Sequence, residues 1–133
     1  MSWTYFITAH AFKSPQDFLV VTDSNIYSGA FGDSQNNPKC CGDVDCGPIP
    51  PGNWNMTGIG DDPKTGPNTI VLAPADAETL NSVKALGRDP FSFRIHGDDI
   101  EDPGHGSEGC IVAPPAIRAA IWDSGDHSLV VTA

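Results

Sequence analysis

Hydrophobic positions along this chain occur in short runs rather than in long helical stripes. Five runs are rich in β-branched or aromatic residues and have the length of single strands. They are residues 3–8, 18–22, 69–73, 91–95 and 129–132. Clusters of Gly, Asn, Asp and Pro lie between them and supply the backbone angles of turns. The pattern predicts a mainly β domain.

Two segments have the spacing and end signals of short helices. In residues 75–86, Leu80 and Val83 share one face and Gly87 follows as a terminator. Residues 115–122 begin with a proline, which suits a first helical turn, and are followed by Ser-Gly. One or two short helices are therefore expected beside the strands.

The alternation of residues 91–95 determines where the next side chain points. The apolar residues of this run share the face expected to cover the core, so His96 belongs to the opposite face, at the end of the strand. Residues 97–106 are polar and turn-like, and such a loop can bring the chain back beside that strand end. Cys110 is thereby predicted to lie close to His96.

The composition fits one domain over residues 1–133, with 39% hydrophobic residues. Fourteen glycines and twelve prolines disfavour long helices. A net charge of -10 with only seven Lys and Arg offers no basic stripe, so binding to nucleic acid is not expected. The first residues lack the basic and apolar regions of a Sec signal, and no apolar run has bilayer length, so we expect synthesis in the cytoplasm, no Sec export and no membrane insertion.

A cysteine and a histidine brought together suggest nucleophilic chemistry. A free thiol with a pKa near ~8.5 is only a few per cent thiolate at neutral pH, so it needs a base such as His96. Gly109, directly before Cys110, allows a substrate carbonyl to approach the backbone and leaves N–H groups for an oxyanion. Ser107 is expected to brace this loop or to bond the histidine, and Gly97 to support the site.

These residues resemble a known family. The order of His96-Gly97 and then Ser107-x-Gly109-Cys110 is similar to the signature of YkuD-type L,D-transpeptidases. Further runs resemble the type VI secretion L,D-transpeptidase effectors, in the same order, and the likeness extends over about residues 27 to 118. These runs are Tyr27-Ser-Gly, Asn37-Pro, Gly47-Pro-Ile-Pro-Pro-Gly, Leu86-Gly-Arg, Phe93-Arg-Ile-His-Gly-Asp and Ser107-Glu-Gly-Cys-Ile.

The resemblance implies an L,D-transpeptidase β-sandwich or barrel and a reaction on peptidoglycan tetrapeptide stems without a cofactor or a metal. Cys110 would form a thioacyl intermediate, and water, a D-amino acid or another stem would then give carboxypeptidase, exchange or crosslinking activity. Glu108 stands where the family often has a second histidine, and no arginine closely follows Cys110. Arg94 or Arg118 is the candidate for binding the substrate carboxylate.

The effector branch also implies a route and partners. Under this interpretation the protein is injected by a type VI secretion apparatus and acts in the periplasm of target Gram-negative bacteria. A producer cell would then need a cognate immunity protein.

The remaining cysteines form a separate cluster, and its role is open. A disulfide between Cys41 and Cys46, or between Cys40 and Cys46, is the favoured interpretation in an oxidising compartment. A structural zinc site is the lesser alternative, because the cluster lacks the paired spacing of zinc modules.

Other interpretations of the site residues stay open from the sequence. His105 is a rival base, and Asp98 or a backbone carbonyl is expected to orient His96. The acidic run after His96 does not have the spacing of a calcium loop. The alternative functions are another cysteine acyltransferase or peptidase and a non-enzymatic cell-wall-binding module. The binding module predicts that Cys110 is buried or disulfide-bonded.

Overall fold

The computed structural model of the protein describes residues 1–16 and 20–133. Within these residues the chain forms nine strands, two α-helices and a 3₁₀ turn at Pro38–Cys40. The strands are β1 (Ser2–Phe6), β2 (Ala11–Lys13), β3 (Val20–Thr22), β4 (Tyr27–Ser28), β5 (Gly52–Asp62), β6 (Gly66–Pro74), β7 (Arg94–His96), β8 (Ile111–Val112) and β9 (Ser128–Thr132). The helices are α1 (Ala77–Ala85) and α2 (Pro115–Asp123). The expected mainly β domain with two short helices is confirmed.

The described strands join into one sheet with the order β3-β2-β1-β9-β5-β6-β7-β8-β4. Its centre is the long β5–β6 hairpin, which carries two register irregularities. Two pairings are parallel, β1 with β9 and β7 with β8. The β7–β8 pair lies towards one edge of the sheet, with only β4 beyond it.

The core collects the inward-facing residues of almost every strand. Trp54 of β5 meets the ring of Phe93 edge-on at 5.4 Å between centroids. Ile95 of β7 and Ile111 of β8 stand opposite each other and are fully buried. α1 packs on β5 and β6, and α2 packs on β6. The site therefore rests on a packed hydrophobic layer.

The predicted elements coincide with the structure over most of their length. Residues 3–8, 69–73 and 129–132 fall largely in β1, β6 and β9. Of the predicted strand 18–22, Phe18 and Leu19 lie outside the described residues, while the remainder is β3. Both helices form where they are expected, and Gly87 ends α1 with a φ of 77°.

The prediction that residues 91–95 form one strand is wrong at its beginning. β7 starts at Arg94, and Phe91 lies in a preceding turn with 58% of its surface exposed. Asp89 holds that turn, because its carboxylate accepts the Phe91 amide at 2.9 Å and its carbonyl accepts the Ser92 hydroxyl at 2.7 Å. Phe91 therefore does not share the core face with Phe93 and Ile95.

In the part of the chain that the structure describes, no helix has both the length and the apolar character needed to cross a bilayer.

Truncation of Ile95 should destabilise the layer beneath the site. Ile95→Ala is expected to lower the free energy of unfolding by about 2–5 kcal/mol, and Ile95→Val by about 0.5–1.5 kcal/mol, because a buried side chain loses its contacts and leaves a cavity. Denaturant titration measures both values. Ile59→Ala, at a partly exposed position of β5, is the control and should cost clearly less. Equal losses at the two positions would contradict this account of the core.

Candidate active site

The parallel pairing of β7 and β8 places Cys110 near His96. Ile95 lies opposite Ile111, and His96 lies opposite Val112. Cys110 immediately precedes β8 and continues this register beside Arg94. Because alternate residues of a strand point to opposite faces, Cys110 and His96 share the face away from the core. The expected meeting of the cysteine loop with the end of the histidine strand is what the structure shows.

Both side chains line an open groove of about 1020 Å³. The groove runs between the turn of the β5–β6 hairpin and the loop that follows His96. Most residues singled out from the sequence are on its wall, namely Arg94, His96, Gly97, Ser107, Gly109 and Cys110. A groove of this size accommodates a peptide-sized ligand.

His96 is a neutral, oriented imidazole. It is only 5% exposed, and its Nδ1 lies 2.7 Å from the carbonyl oxygen of Gly97. A carbonyl oxygen only accepts, so Nδ1 carries the proton and the lone pair is on Nε2. Burial lowers the pKa of His96 below its usual range, and the charge of Arg118 acts in the same direction. Nε2 is thus available as a base at neutral pH.

The orienting partner of His96 is therefore the backbone carbonyl and not Asp98. The Asp98 carboxylate accepts the hydroxyl of Tyr27 and the backbone amide of Gly104, the latter at 3.1 Å. Asp98 shapes the loop after His96 and reaches the histidine only through its longer-range charge.

Cys110 is an unpaired, half-buried thiol whose Sγ lies 3.6 Å from the carbonyl oxygen of Ser92. Burial raises the pKa of the thiol. A hydrogen bond from the Arg94 amide and the charges of Arg94, Lys64 and Arg88 oppose this rise but do not reverse it. With a raised thiol pKa and a lowered imidazole pKa, the resting pair is a neutral thiol beside a neutral imidazole.

Ser107 braces the turn before Cys110. Its Oγ accepts the amides of Gly29 at 3.1 Å and Gly109 at 3.0 Å, and donates to the carbonyl of Cys110 at 2.6 Å. The expected bracing role is observed, and the hydroxyl bonds the loop rather than His96. Since the Gly109 amide is already engaged, the expectation that it binds an oxyanion is not met here. The amide of Cys110 is the other backbone donor expected for that role.

Strand β4 supplies a second brace that the sequence analysis did not assign. The hydroxyl of Ser28 donates to the carbonyl of Gly109 and accepts the amide of Ile49, both at 2.9 Å. The hydroxyl of Tyr27 accepts the amide of Gly106 at 2.9 Å. The only sequence signal for these residues was the Tyr27-Ser-Gly run within the resemblance.

The two candidate arginines have different surroundings. Arg118 is 4% exposed and does not line the groove. Its guanidinium donates to the carbonyls of Ala113, Pro67 and Asn68 at 2.8–3.0 Å. The expectation that Arg118 binds substrate is therefore corrected, because its donors hold α2 to the start of β6 and to the residue that follows β8. Arg94 does line the groove.

The cysteine cluster is unpaired in the structure, so the predicted disulfides of Cys46 with Cys41 or Cys40 are not formed. The thiol of Cys41 is buried and directed at the carbonyl of Ile49, 3.7 Å away, whereas Cys46 is exposed. Within residues 1–16 and 20–133, no group of three His, Cys, Asp or Glu residues is arranged to hold a metal ion.

The rival base His105 also lines the groove. Its ring stacks on Phe31 at 4.1 Å between centroids, and its Nδ1 lies 3.7 Å from Asp102. Phe31 lies in the segment after β4 and Asp102 in the polar loop after β7, so neither contact ties His105 to the strand that carries His96.

Comparison with known proteins identifies the fold. No protein-family model and no curated protein matches the chain. An L,D-transpeptidase from Mycobacterium smegmatis superposes with a TM-score of 0.54 at 17% identity, over 98% of this chain and 58% of the other. The catalytic domain of the E. faecium L,D-transpeptidase superposes with a TM-score of 0.51 at 17% identity, over 98% of this chain and 95% of the other. The chain thus spans somewhat more than half of the first structure and has the fold of L,D-transpeptidase catalytic domains.

Cys110 should react as a thiol with a raised pKa. Alkylation by iodoacetamide, followed by mass spectrometry of the Cys110 peptide, is expected to rise through one ionisation above the ordinary thiol range of about 8.5. Because His96 is neutral and its pKa lies below 6.5, no thiolate plateau is expected between about pH 5 and 8. A plateau that disappears in His96→Gln would show instead a preformed thiolate–imidazolium pair.

Proposed function

We propose that the protein is a cysteine L,D-transpeptidase that acts on peptidoglycan tetrapeptide stems. The observation that carries the proposal is the placement of Cys110 and His96 on one face of the β7–β8 pair, on the wall of an open groove. The fold of L,D-transpeptidase catalytic domains and the motif order in the sequence support the same chemistry.

The first half-reaction forms a thioester. Nε2 of His96 takes the thiol proton while Sγ of Cys110 attacks the carbonyl carbon between the third stem residue and the terminal D-alanine. The carbonyl π electrons move to oxygen and give a tetrahedral oxyanion. When the C–N bond breaks, the leaving D-alanine amine takes the proton back from His96. The acyl group remains on Cys110.

The neutral resting pair suits this order of events. A thiolate formed ahead of the substrate would need a positive imidazole, which burial of His96 disfavours. Proton transfer is instead coupled to attack, when the amide of Cys110 can donate a hydrogen bond to the developing oxyanion. A single such donor contributes about 3 kcal/mol to catalysis in well-studied hydrolases.

The acceptor decides the product. Water gives a carboxypeptidase, a free D-amino acid gives exchange, and an amine of another stem gives a crosslink. In each case His96 removes a proton from the acceptor, the acceptor attacks the thioester, and the departing thiolate is reprotonated. We propose carboxypeptidase and exchange activity alongside crosslinking, because all three use the same acyl-enzyme.

The groove contains cationic side chains suited to a substrate that ends in a carboxylate. Lys64, Arg88 and Arg94, three of the seven cationic side chains, line it together with six acidic residues, namely Asp45, Asp62, Asp89, Asp98, Asp99 and Glu108. One terminal nitrogen of Arg94 donates to the carbonyls of Phe91 and Phe93 at 3.0–3.1 Å. Its planar guanidinium keeps further donors that match a carboxylate. We assign Arg94, with Lys64, to the terminal carboxylate of the stem.

The alternative of a non-enzymatic wall-binding module requires a structural thiol. Cys110 is instead unpaired, half-buried and on the groove wall, which favours an enzyme.

Incubation with tetrapeptide muropeptides tests the activity. The protein is expected to release D-alanine, or to replace it with an added D-amino acid, while Cys110→Ala is inactive because no thioester can form. Mass spectrometry of the muropeptides measures both outcomes. Cys46→Ala is the matched control, since its thiol is exposed and does not line the groove. Unchanged muropeptides with a reactive Cys110 would point to another acyl substrate.

The biological role proposed from the motif resemblance is that of an antibacterial effector, delivered by a type VI secretion apparatus and neutralised in the producer by an immunity protein. Expression of the protein fused to a periplasmic signal in a sensitive Gram-negative cell should slow growth and shift the stem composition. The Cys110→Ala variant should do neither, because the proposed toxicity depends on the acyl-enzyme. Unchanged growth with a verified periplasmic enzyme would contradict the effector role.

A further inference from the structure

Arg88 follows α1 at a fixed position. The amide of Gly87 donates to the carbonyl of Lys84 at 2.9 Å, and the amide of Arg88 donates to the carbonyl of Val83 at 3.3 Å. With the positive φ of Gly87, 77°, these bonds form a Schellman motif. The end of the helix thereby fixes the direction in which the chain leaves α1. It also fixes the point from which the Arg88 side chain starts.

The guanidinium of Arg88 joins two segments that are distant in sequence. One terminal nitrogen donates to the carbonyls of Cys41 at 2.9 Å and Pro48 at 3.0 Å. The other donates to the carbonyl of Glu108 at 3.2 Å, two residues before the nucleophile. The group also lies over the ring of Phe93, 5.0 Å from its centroid. Arg88 thus ties the turn that carries Cys110 to the cysteine-rich loop.

One glycine makes room for this guanidinium. A Cβ on Gly109 would lie 2.2 Å from one terminal nitrogen of Arg88, whereas a Cβ on Gly47 would meet the carbonyl oxygen of Cys40 at 1.8 Å before it approached the other nitrogen at 3.2 Å. Gly109 also has a φ of 149°, which a residue with a side chain rarely adopts. The glycine that the sequence analysis assigned to approach of the substrate therefore has a second role, which is to admit Arg88 behind the nucleophile.

The charge of Arg88 has no carboxylate partner at ion-pair distance among the described residues. It is only 7% exposed and is held by carbonyl oxygens. Burial lowers its pKa, while the more distant Asp43 and Asp45 oppose that effect. A guanidinium stays protonated in such surroundings. An unpaired buried cation favours any anion that forms beside it, and the reaction creates one at Cys110.

We propose that Arg88 is a positioning residue for Cys110, which fixes the Glu108–Gly109 turn and supplies positive charge that stabilises the thiolate formed during attack. The inference rests on the proposed function only in taking Cys110 as the nucleophile. The charge of Arg88 is among those that oppose the burial-raised pKa of the Cys110 thiol, together with Arg94 and Lys64.

The test is the pH profile of Cys110 alkylation, resolved by mass spectrometry from that of the other thiols. Arg88→Gln keeps a side chain with hydrogen-bond donors and removes the charge, so the profile should shift to higher pH and the rate below its midpoint should fall about threefold. Lys84→Gln removes the same charge from an exposed position outside the groove and should leave the profile unchanged. Cys46, an exposed thiol in the same molecule, is the internal reference.

A folded Arg88→Gln with the wild-type profile would overturn the proposal. If Arg88→Gln does not fold, as judged by thermal unfolding, the alkylation profile of Arg88→Lys tests the proposal instead. A folded Arg88→Lys whose reactivity falls by clearly less than the threefold expected for Arg88→Gln supports a required charge at this position, and a folded variant that shows the full threefold loss overturns it. Because alkylation needs no peptidoglycan, a shifted profile with unchanged muropeptides would leave this inference standing while the proposed function fails.

Discussion

The parallel pairing of β7 and β8 is the constraint on which the site depends. The two strands have only three and two residues, yet their register decides which side chains face the groove. Ile95 and Ile111 anchor the pair in the core. The residues next to them along each strand are therefore directed to the opposite face. A register slip by one residue would exchange the core-facing side chains with the groove-facing ones and bury the thiol. The chemistry of the groove is therefore fixed by hydrophobic packing on its reverse side.

Hydrogen bonds to the backbone supply the rest of the order around Cys110. Ser107 and Ser28 bind Gly109 from two directions, through its amide and its carbonyl. Such bonds hold the backbone before Cys110 without adding a charge there. The charges that act on the thiol come from the groove wall and from behind the turn, at Arg94 and Arg88. The two serines thus supply backbone order alone, whereas Arg88 supplies both backbone order and positive charge.

The sequence predicted the elements with strong local signals and missed those created by tertiary pairing. α1 and α2 were located by apolar spacing and by terminators such as Gly87, which act within one helical turn. β4 and β8 have two residues each and no periodicity of their own, so only their partners define them. The start of β7 was misplaced because Phe91 fits a strand pattern but is held in a turn by Asp89.

The same distinction holds for the site. The juxtaposition of His96 and Cys110 followed from strand alternation and loop return, whereas Arg118 was misassigned because charge alone does not reveal burial. Arg88 had no signal beyond its helix end and the Leu86-Gly-Arg run within the resemblance. One further consequence follows from the protonated resting thiol. Oxidants and disulfides react with thiolates, so a cysteine kept protonated until its substrate arrives is less prone to oxidation than one with a preformed thiolate. The burial that raises the pKa of the Cys110 thiol thereby lowers its reactivity towards oxidants.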